Sequence, residues 1–262
     1  MASAAPADQF PLFYQGLEPL SSSVHPNFKT KGAETAPFLA ATHAVPITID
    51  EFVPAQRHYP IVFSSGDNPV PLALMGLNEG VNVFVDEDGK LLGETYVPAY
   101  IRRYPFMLAR LRPDADELSL CFDPQSGLVG DFEEGNPLFD DGQPSETTQA
   151  ILKFCEEFEM SAQRTNAFMA ELKATGLLME GEAAVQVTGN EQPFVYRGFQ
   201  MVNEEKFREL RGDELRKLNQ NGILQLMLAH LFSLSLVPEI FSKQARQNKG
   251  PNLGLTPQVG NA

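Results

Sequence analysis

Apolar and polar residues alternate along His43-Ala-Val-Pro-Ile-Thr-Ile-Asp-Glu-Phe-Val, a period of two that predicts a half-buried strand. Tyr59-Pro-Ile-Val-Phe and Val70-Pro-Leu-Ala-Leu-Met-Gly-Leu are short apolar runs bounded by Gly, Pro, Asn or Asp, and their prolines predict edge strands or strand starts. Val81 to Gly93 predicts a hairpin turning at Asp88-Gly89, because glycine tolerates positive φ at the second position of a two-residue loop. Phe106-Met-Leu-Ala-Arg-Leu and Glu117-Leu-Ser-Leu-Cys-Phe-Asp supply two further strands.

From Ser145 the period changes. Ile151, Phe154, Cys155, Phe158, Ala162, Thr165, Phe168, Met169 and Leu172 recur every three or four residues, the stripe of one long helix capped by Ser145 and stopped by Gly176. Leu177-Leu-Met-Glu and Phe194 to Val202 read as strands, Asn203 caps a short helix, and a last helical stripe runs from Asp213 to Val237 with Gly222 as its weak point. The expected fold is α+β, a largely antiparallel sheet from the N-terminal half packed against two long helices from the C-terminal half. Residues 1–35, rich in Ala, Ser and Pro with single aromatics, read as a flexible tail that the aromatics could dock locally; 36–243 read as one domain and 244–262 as a flexible end.

Charge narrows the functional classes. The 262 residues carry 20 Lys+Arg against 34 Asp+Glu, a net −14, which argues against nucleic acid and anionic membrane surfaces as partners. Gly222 to Val237 is the most apolar run, but Gln225, His230, Ser233 and Ser235 interrupt it and Pro238 closes it, short of the ~18 apolar residues of a membrane span, so a buried helix is expected. The first ten residues show neither a basic n-region nor an apolar h-region, giving the expectation of no secretory signal and a cytoplasmic protein. Cys121 and Cys155 lie in apolar surroundings and read as small core residues, which suits a reducing compartment.

Candidate chemistry is sparse. His25, His43, His58 and His230 form no metal-ligand spacing, so neither metal nor cofactor is expected, and His230 on an apolar stripe reads as a hydrogen-bonded core residue. Asp86-Glu-Asp-Gly and Phe139-Asp-Asp-Gly-Gln lack the calcium-loop register and read as turns; the acidic stretch from Asp131 to Asp141 reads as a solvated loop. No nucleophile elbow, P-loop or dinucleotide fingerprint is present. The exception is Tyr96-Val-Pro-Ala-Tyr-Ile-Arg-Arg-Tyr-Pro-Phe-Met, where Arg102 and Arg103 could clamp a carboxylate or phosphate beside Tyr100, Tyr104 and Phe106, with His58 and Asp123 as acid–base groups. The competing reading buries Tyr100 and Phe106 in the core and pairs the two arginines with acidic neighbours.

Glu51-Phe-Val-Pro-Ala with Tyr59-Pro-Ile-Val-Phe, Asn82-Val-Phe-Val-Asp, Tyr100-Ile-Arg-Arg-Tyr-Pro-Phe, Leu138-Phe-Asp-Asp-Gly-Gln-Pro-Ser and Gly222-Ile-Leu-Gln-Leu-Met-Leu-Ala-His-Leu-Phe-Ser-Leu, in that order, resemble the bacterial SapC family across about residues 38–242. The resemblance implies a surface-layer context, a label related to peptide transport, and gene neighbours such as TonB-dependent receptors, halogenase-like flavoproteins and cupin-like oxygenases. It attaches no catalytic residues. Two expectations follow: a soluble, non-catalytic accessory protein acting on another bacterial protein of a surface-layer or TonB-receptor-associated uptake system, or an enzyme or small-ligand binder for an anionic carboxylate or phosphate compound. Oligomeric state stays open.

Overall fold

Thr48-Ile-Asp-Glu51 ends the first strand earlier than its alternation suggests. In the computed structural model, which describes residues 10–33, 35–111, 118–187 and 192–250, Thr48 is an N-cap: its amide and Oγ1 donate to Glu51 Oε2 at 2.8 and 3.0 Å. This Ser/Thr-x-x-Glu box turns the chain into a helical segment where period-two alternation predicts more strand.

The strands are β1 (Glu18–Pro19), β2 (Lys29–Thr30), β3 (Ala44–Pro46), β4 (Ile61–Ser64), β5 (Pro71–Leu74), β6 (Phe106–Ala109), β7 (Ser119–Phe122), β8 (Val129–Gly130), β9 (Asn136–Pro137), β10 (Phe139–Asp140), β11 (Gln143–Pro144), β12 (Leu178–Glu180), β13 (Ala183–Val185), β14 (Phe194–Tyr196) and β15 (Phe199–Val202). The helices are α1 (Phe52–Ala55), α2 (Ala99–Arg103), α3 (Glu146–Ala174), α4 (Glu204–Arg208), α5 (Gly212–Gln220), α6 (Ile223–Ser233) and α7 (Val237–Arg246). The sheets are antiparallel and the class is α+β, as the sequence predicts. Two compact units divide the chain, Met1–Glu34 with Val97–Arg164 and Thr35–Tyr96 with Thr165–Ala262.

In the first unit β7 lies between β1 and β6, and β2 between β8 and β9. Phe106, Leu108, Phe122, Val129, Leu138 and Cys155 form its core. Residues 10–33, expected as a tail, are built into it. Tyr14 is 5% exposed and its hydroxyl donates to the Phe106 carbonyl at 2.7 Å, while Glu18 pairs with Phe122 across the β1–β7 ladder. Two-residue strands carry no readable period, so a few buried aromatics decide where this segment goes. Residues 1–9 of that expected tail lie outside the described residues, as does Glu117 of the expected strand. Asp141 and Gly142, at φ 47° and 77°, make the two-residue β10–β11 turn that Asp-Asp-Gly suggests.

Ser145 caps α3 as expected: its Oγ accepts from the Thr148 amide at 3.2 Å and donates to the Pro137 carbonyl at 2.6 Å. Ser145→Ala is expected to lower stability by about 1–2 kcal/mol in urea denaturation, the usual effect of losing an N-cap.

The second unit holds a five-stranded sheet in the order β12-β15-β4-β5-β3. Val81 to Gly93 closes less regularly than a two-residue hairpin, with a single bridge between Val85 and Leu91. Asp86 and Lys90 flank a three-residue turn, the Asp86 amide donating to the Lys90 carbonyl at 2.9 Å and Asp86 Oδ1 accepting from the Lys90 amide at 2.8 Å. Gly89 is required there twice over: its φ is +79°, and a Cβ would meet the Ala36 carbonyl carbon at 2.1 Å.

Gly222, left-handed at φ 74°, breaks the last predicted stripe into α5 and α6. Ile223–Arg246 is 24 residues long and holds an 18-residue stretch of mean hydropathy 1.6, long and apolar enough by composition to cross a membrane. Within the unit its buried face carries Met227, His230, Ser233, Ile240, Phe241 and Gln244. The polar members of that face hold backbone. Ser233 Oγ accepts from the Ile61 amide at 2.8 Å, and Gln244 Oε1 accepts from the Leu77 amide at 2.6 Å. Gln244 to Arg246, expected in the flexible end, therefore close α7, and Lys249 Nζ donates to the Asn82 carbonyl at 2.9 Å. Residues 251–262 of that expected end lie outside the described residues. From Thr165 on, α3 contributes Phe168, Met169 and Leu172 to this core and ends at Gly176, φ 69°.

Candidate functional site

Pro98, fixed in φ, starts α2 and Tyr104 leaves it in extended conformation. One turn of helix gives successive side chains different directions. Arg102 is exposed; its Nε donates to the Val97 carbonyl at 3.1 Å and its guanidinium carbon lies 5.1 Å from the Phe154 ring centre. Arg103 is 7% exposed and is held between aromatic faces, 4.4 Å from the Tyr100 ring centre and 4.3 Å from that of Phe158, with Tyr14 at 5.9 Å. Ring quadrupoles replace part of the water that a buried guanidinium loses. One terminal nitrogen, Nη1, lies 3.6 Å from Glu159 Oε1, beyond hydrogen-bond length, and Nε has no hydrogen-bond partner. Burial raises the Glu159 pKa and Arg103 opposes that rise.

Arg102, Arg103, Phe106, Ala150, Ile151, Phe154 and Cys155 line a cleft of about 340 Å³ in the first unit. Tyr100 lies 7% exposed, its hydroxyl donating to the Leu12 carbonyl at 3.2 Å. Tyr104 donates to Asp123 Oδ2 at 3.2 Å, and burial, then the Asp123 charge, raise its pKa. Asp123 is fully buried. Its Oδ2 also accepts from the Gln15 amide at 2.8 Å, and its Oδ1 accepts from the Gln125 amide at 2.9 Å. Three structural donors thus occupy the carboxylate proposed from sequence as an acid–base group. His58 belongs to the second unit, in the turn after α1, its ring centre 6.2 Å from that of Tyr59. It is not among the residues lining the cleft.

Sequence reading missed Tyr14, Phe158 and Glu159 as partners of Arg103. Phe158 sits on the predicted α3 stripe beside Phe154 and Cys155, which was the available signal, but stripe membership does not reveal what a side chain touches across the unit.

The two thiols are quenched and His230 is engaged. Burial pushes the thiols of Cys121 and Cys155 up to about 11, away from the nucleophilic thiolate. Both thiols are expected to resist iodoacetamide at pH 8 in the native protein and to react fully in urea, which peptide mass mapping checks. His230 is fully buried in the second unit; Nδ1 donates to the Ile61 carbonyl at 2.7 Å and Nε2 accepts from the Val202 amide at 3.1 Å, which fixes the neutral tautomer. Burial pushes its pKa down to about 4. Among the described residues, no three His, Cys, Asp or Glu side chains converge as metal ligands.

In comparisons with known proteins, the family model described as SapC matches residues 20–240. No curated protein and no solved structure matches the chain.

Proposed function

The chain belongs to the SapC family, and from that premise we propose that it works as a non-catalytic accessory protein that binds another protein of the same bacterium. One observation carries the reading: Asp123, His230 and both thiols, groups fit for acid–base or nucleophilic work, are committed to the fold. Asp123 receives three hydrogen bonds, His230 bridges two backbone groups, and both thiols are buried. The partner belongs to a surface-layer or TonB-receptor-associated uptake system, as the family context suggests, and the encounter is cytoplasmic, which two free buried thiols suit.

A second reading rests on the cleft. Two successive arginines lining one cleft, Arg103 buried and Arg102 exposed, support recognition of an anionic ligand, in a pathway shared with halogenase-like or cupin-like oxygenases. Crosslinking in the living source cell, followed by purification of the full-length protein and mass spectrometry, separates the readings. A protein of a surface-layer or uptake system, crosslinked in fixed stoichiometry, is the expected product. Recovery of the chain alone sinks the accessory role, and a partner from an unrelated system removes the surface-layer and uptake assignment.

A further inference from the structure

We propose that the open cleft lined by α2, β6 and the first turns of α3 binds a small monocarboxylate with an apolar body, such as an aromatic or medium-chain acid. This rests on the ligand-binding reading of the same site and narrows it.

Three features point to that ligand. The first is a fixed cation beside an accessible one. The Arg103 side chain is 6% exposed, so its charge is held in the cleft wall, and Arg102, exposed and lining the same cleft, offers its guanidinium to a ligand. The nearest carboxylate, Glu159, stands 3.6 Å from Nη1, a distance that provides charge without a hydrogen bond. The rings of Tyr100 and Phe158 hold the guanidinium plane in place, so its geometry is set before any ligand arrives.

The second feature is local charge. Arg102 and Arg103 line the cleft and no carboxylate is among its lining residues, which favours an anion. The guanidinium fork also matches the two oxygens of a carboxylate.

The third is the wall. Beyond the arginines the cleft presents Phe106, Ile151, Phe154 and Cys155, with no neutral hydroxyl or amide side chain to read a sugar or a peptide amide. A volume of about 340 Å³ lies at the small end of ligand pockets, room for one ring or a short chain.

Isothermal titration calorimetry and thermal denaturation of the full chain test this with 3-phenylpropionate, 3-phenylpropionamide and inorganic phosphate. The acid is expected to bind once per chain and to raise the melting temperature, since a ligand taken only by the native state stabilises it. The isosteric amide and phosphate are expected to do neither. Arg102→Gln, an exposed position that should leave the unliganded melting temperature unchanged, is expected to weaken the acid at least tenfold, and Arg197→Gln in the second unit to leave it unaltered. Equal binding of acid and amide, or an affinity indifferent to Arg102→Gln, overturns the proposal. Phosphate binding that depends on Arg102, with no response to the acid, overturns the monocarboxylate while the anion-site reading survives. No response to any of the three overturns both.

Discussion

Replacing His230 by leucine is expected to destabilise the protein by roughly 3 kcal/mol at pH 7, as read from urea denaturation, because a buried donor and a buried acceptor lose their partner at once. The Val202 amide, on a fully buried residue, would face a methyl group, and the Ile61 carbonyl would lose the Nδ1 proton 2.7 Å away. Leucine keeps most of the volume beside the Phe63 ring, whose centre is 4.8 Å from the imidazole, so the loss reports the hydrogen bonds more than a cavity. The imidazole also sets a pH window. Its native pKa is pushed down to about 4 from the ordinary 6.5, so the unfolded chain takes up the proton first. The stabilisation is whole above pH 6.5, falls between pH 6.5 and about 4, and levels off below, a change of roughly 3 kcal/mol. The gap between wild type and His230→Leu should close across that interval. A gap independent of pH would mean that His230 is not held neutral.

Asp123→Ala is the second large effect, expected at 3 kcal/mol or more, on the order of what an uncompensated buried network costs. The Gln15 and Gln125 amides and the Tyr104 hydroxyl would all lose their acceptor inside the first unit. Residues 10–33 should then become the first site of limited proteolysis, because the Gln15 contact ties that segment to the turn after β7. Asp123→Asn should fall between the two, since its amide group turns one acceptor into a donor facing donors. Wild-type urea midpoint and proteolysis pattern in Asp123→Ala would return this carboxylate to the list of acid–base candidates.

The parts of the fold legible in the sequence are those with long periods or strong local punctuation. α3 is marked from Ser145 to Gly176 by nine stripe positions with a cap at each end, and the Gly222 break is marked by a residue that reaches φ 74° without strain. The strands β4 and β5 are marked by apolar runs opened by proline. What stays hidden is short or long-range. α2 has five residues, fewer than two turns, so no stripe can develop. Thr48 and Glu51 form a legible capping box, but the apolar–polar alternation around them reads equally well as strand. Of the cleft, Arg102, Arg103 and Tyr100 stand out because two guanidiniums in an aromatic segment of an acidic chain are unusual. Tyr14 and Phe158, which flank Arg103, arrive from elements far away in sequence, and only tertiary packing joins them.

A binding function makes its clearest statement in the mass of the native assembly. Native mass spectrometry of the full-length protein, isolated from its own cells at its normal level, is the most direct measurement. Partner binding predicts one dominant species whose mass equals the chain plus a second protein in fixed ratio. A spectrum holding only the chain, with or without a small molecule, would contradict it.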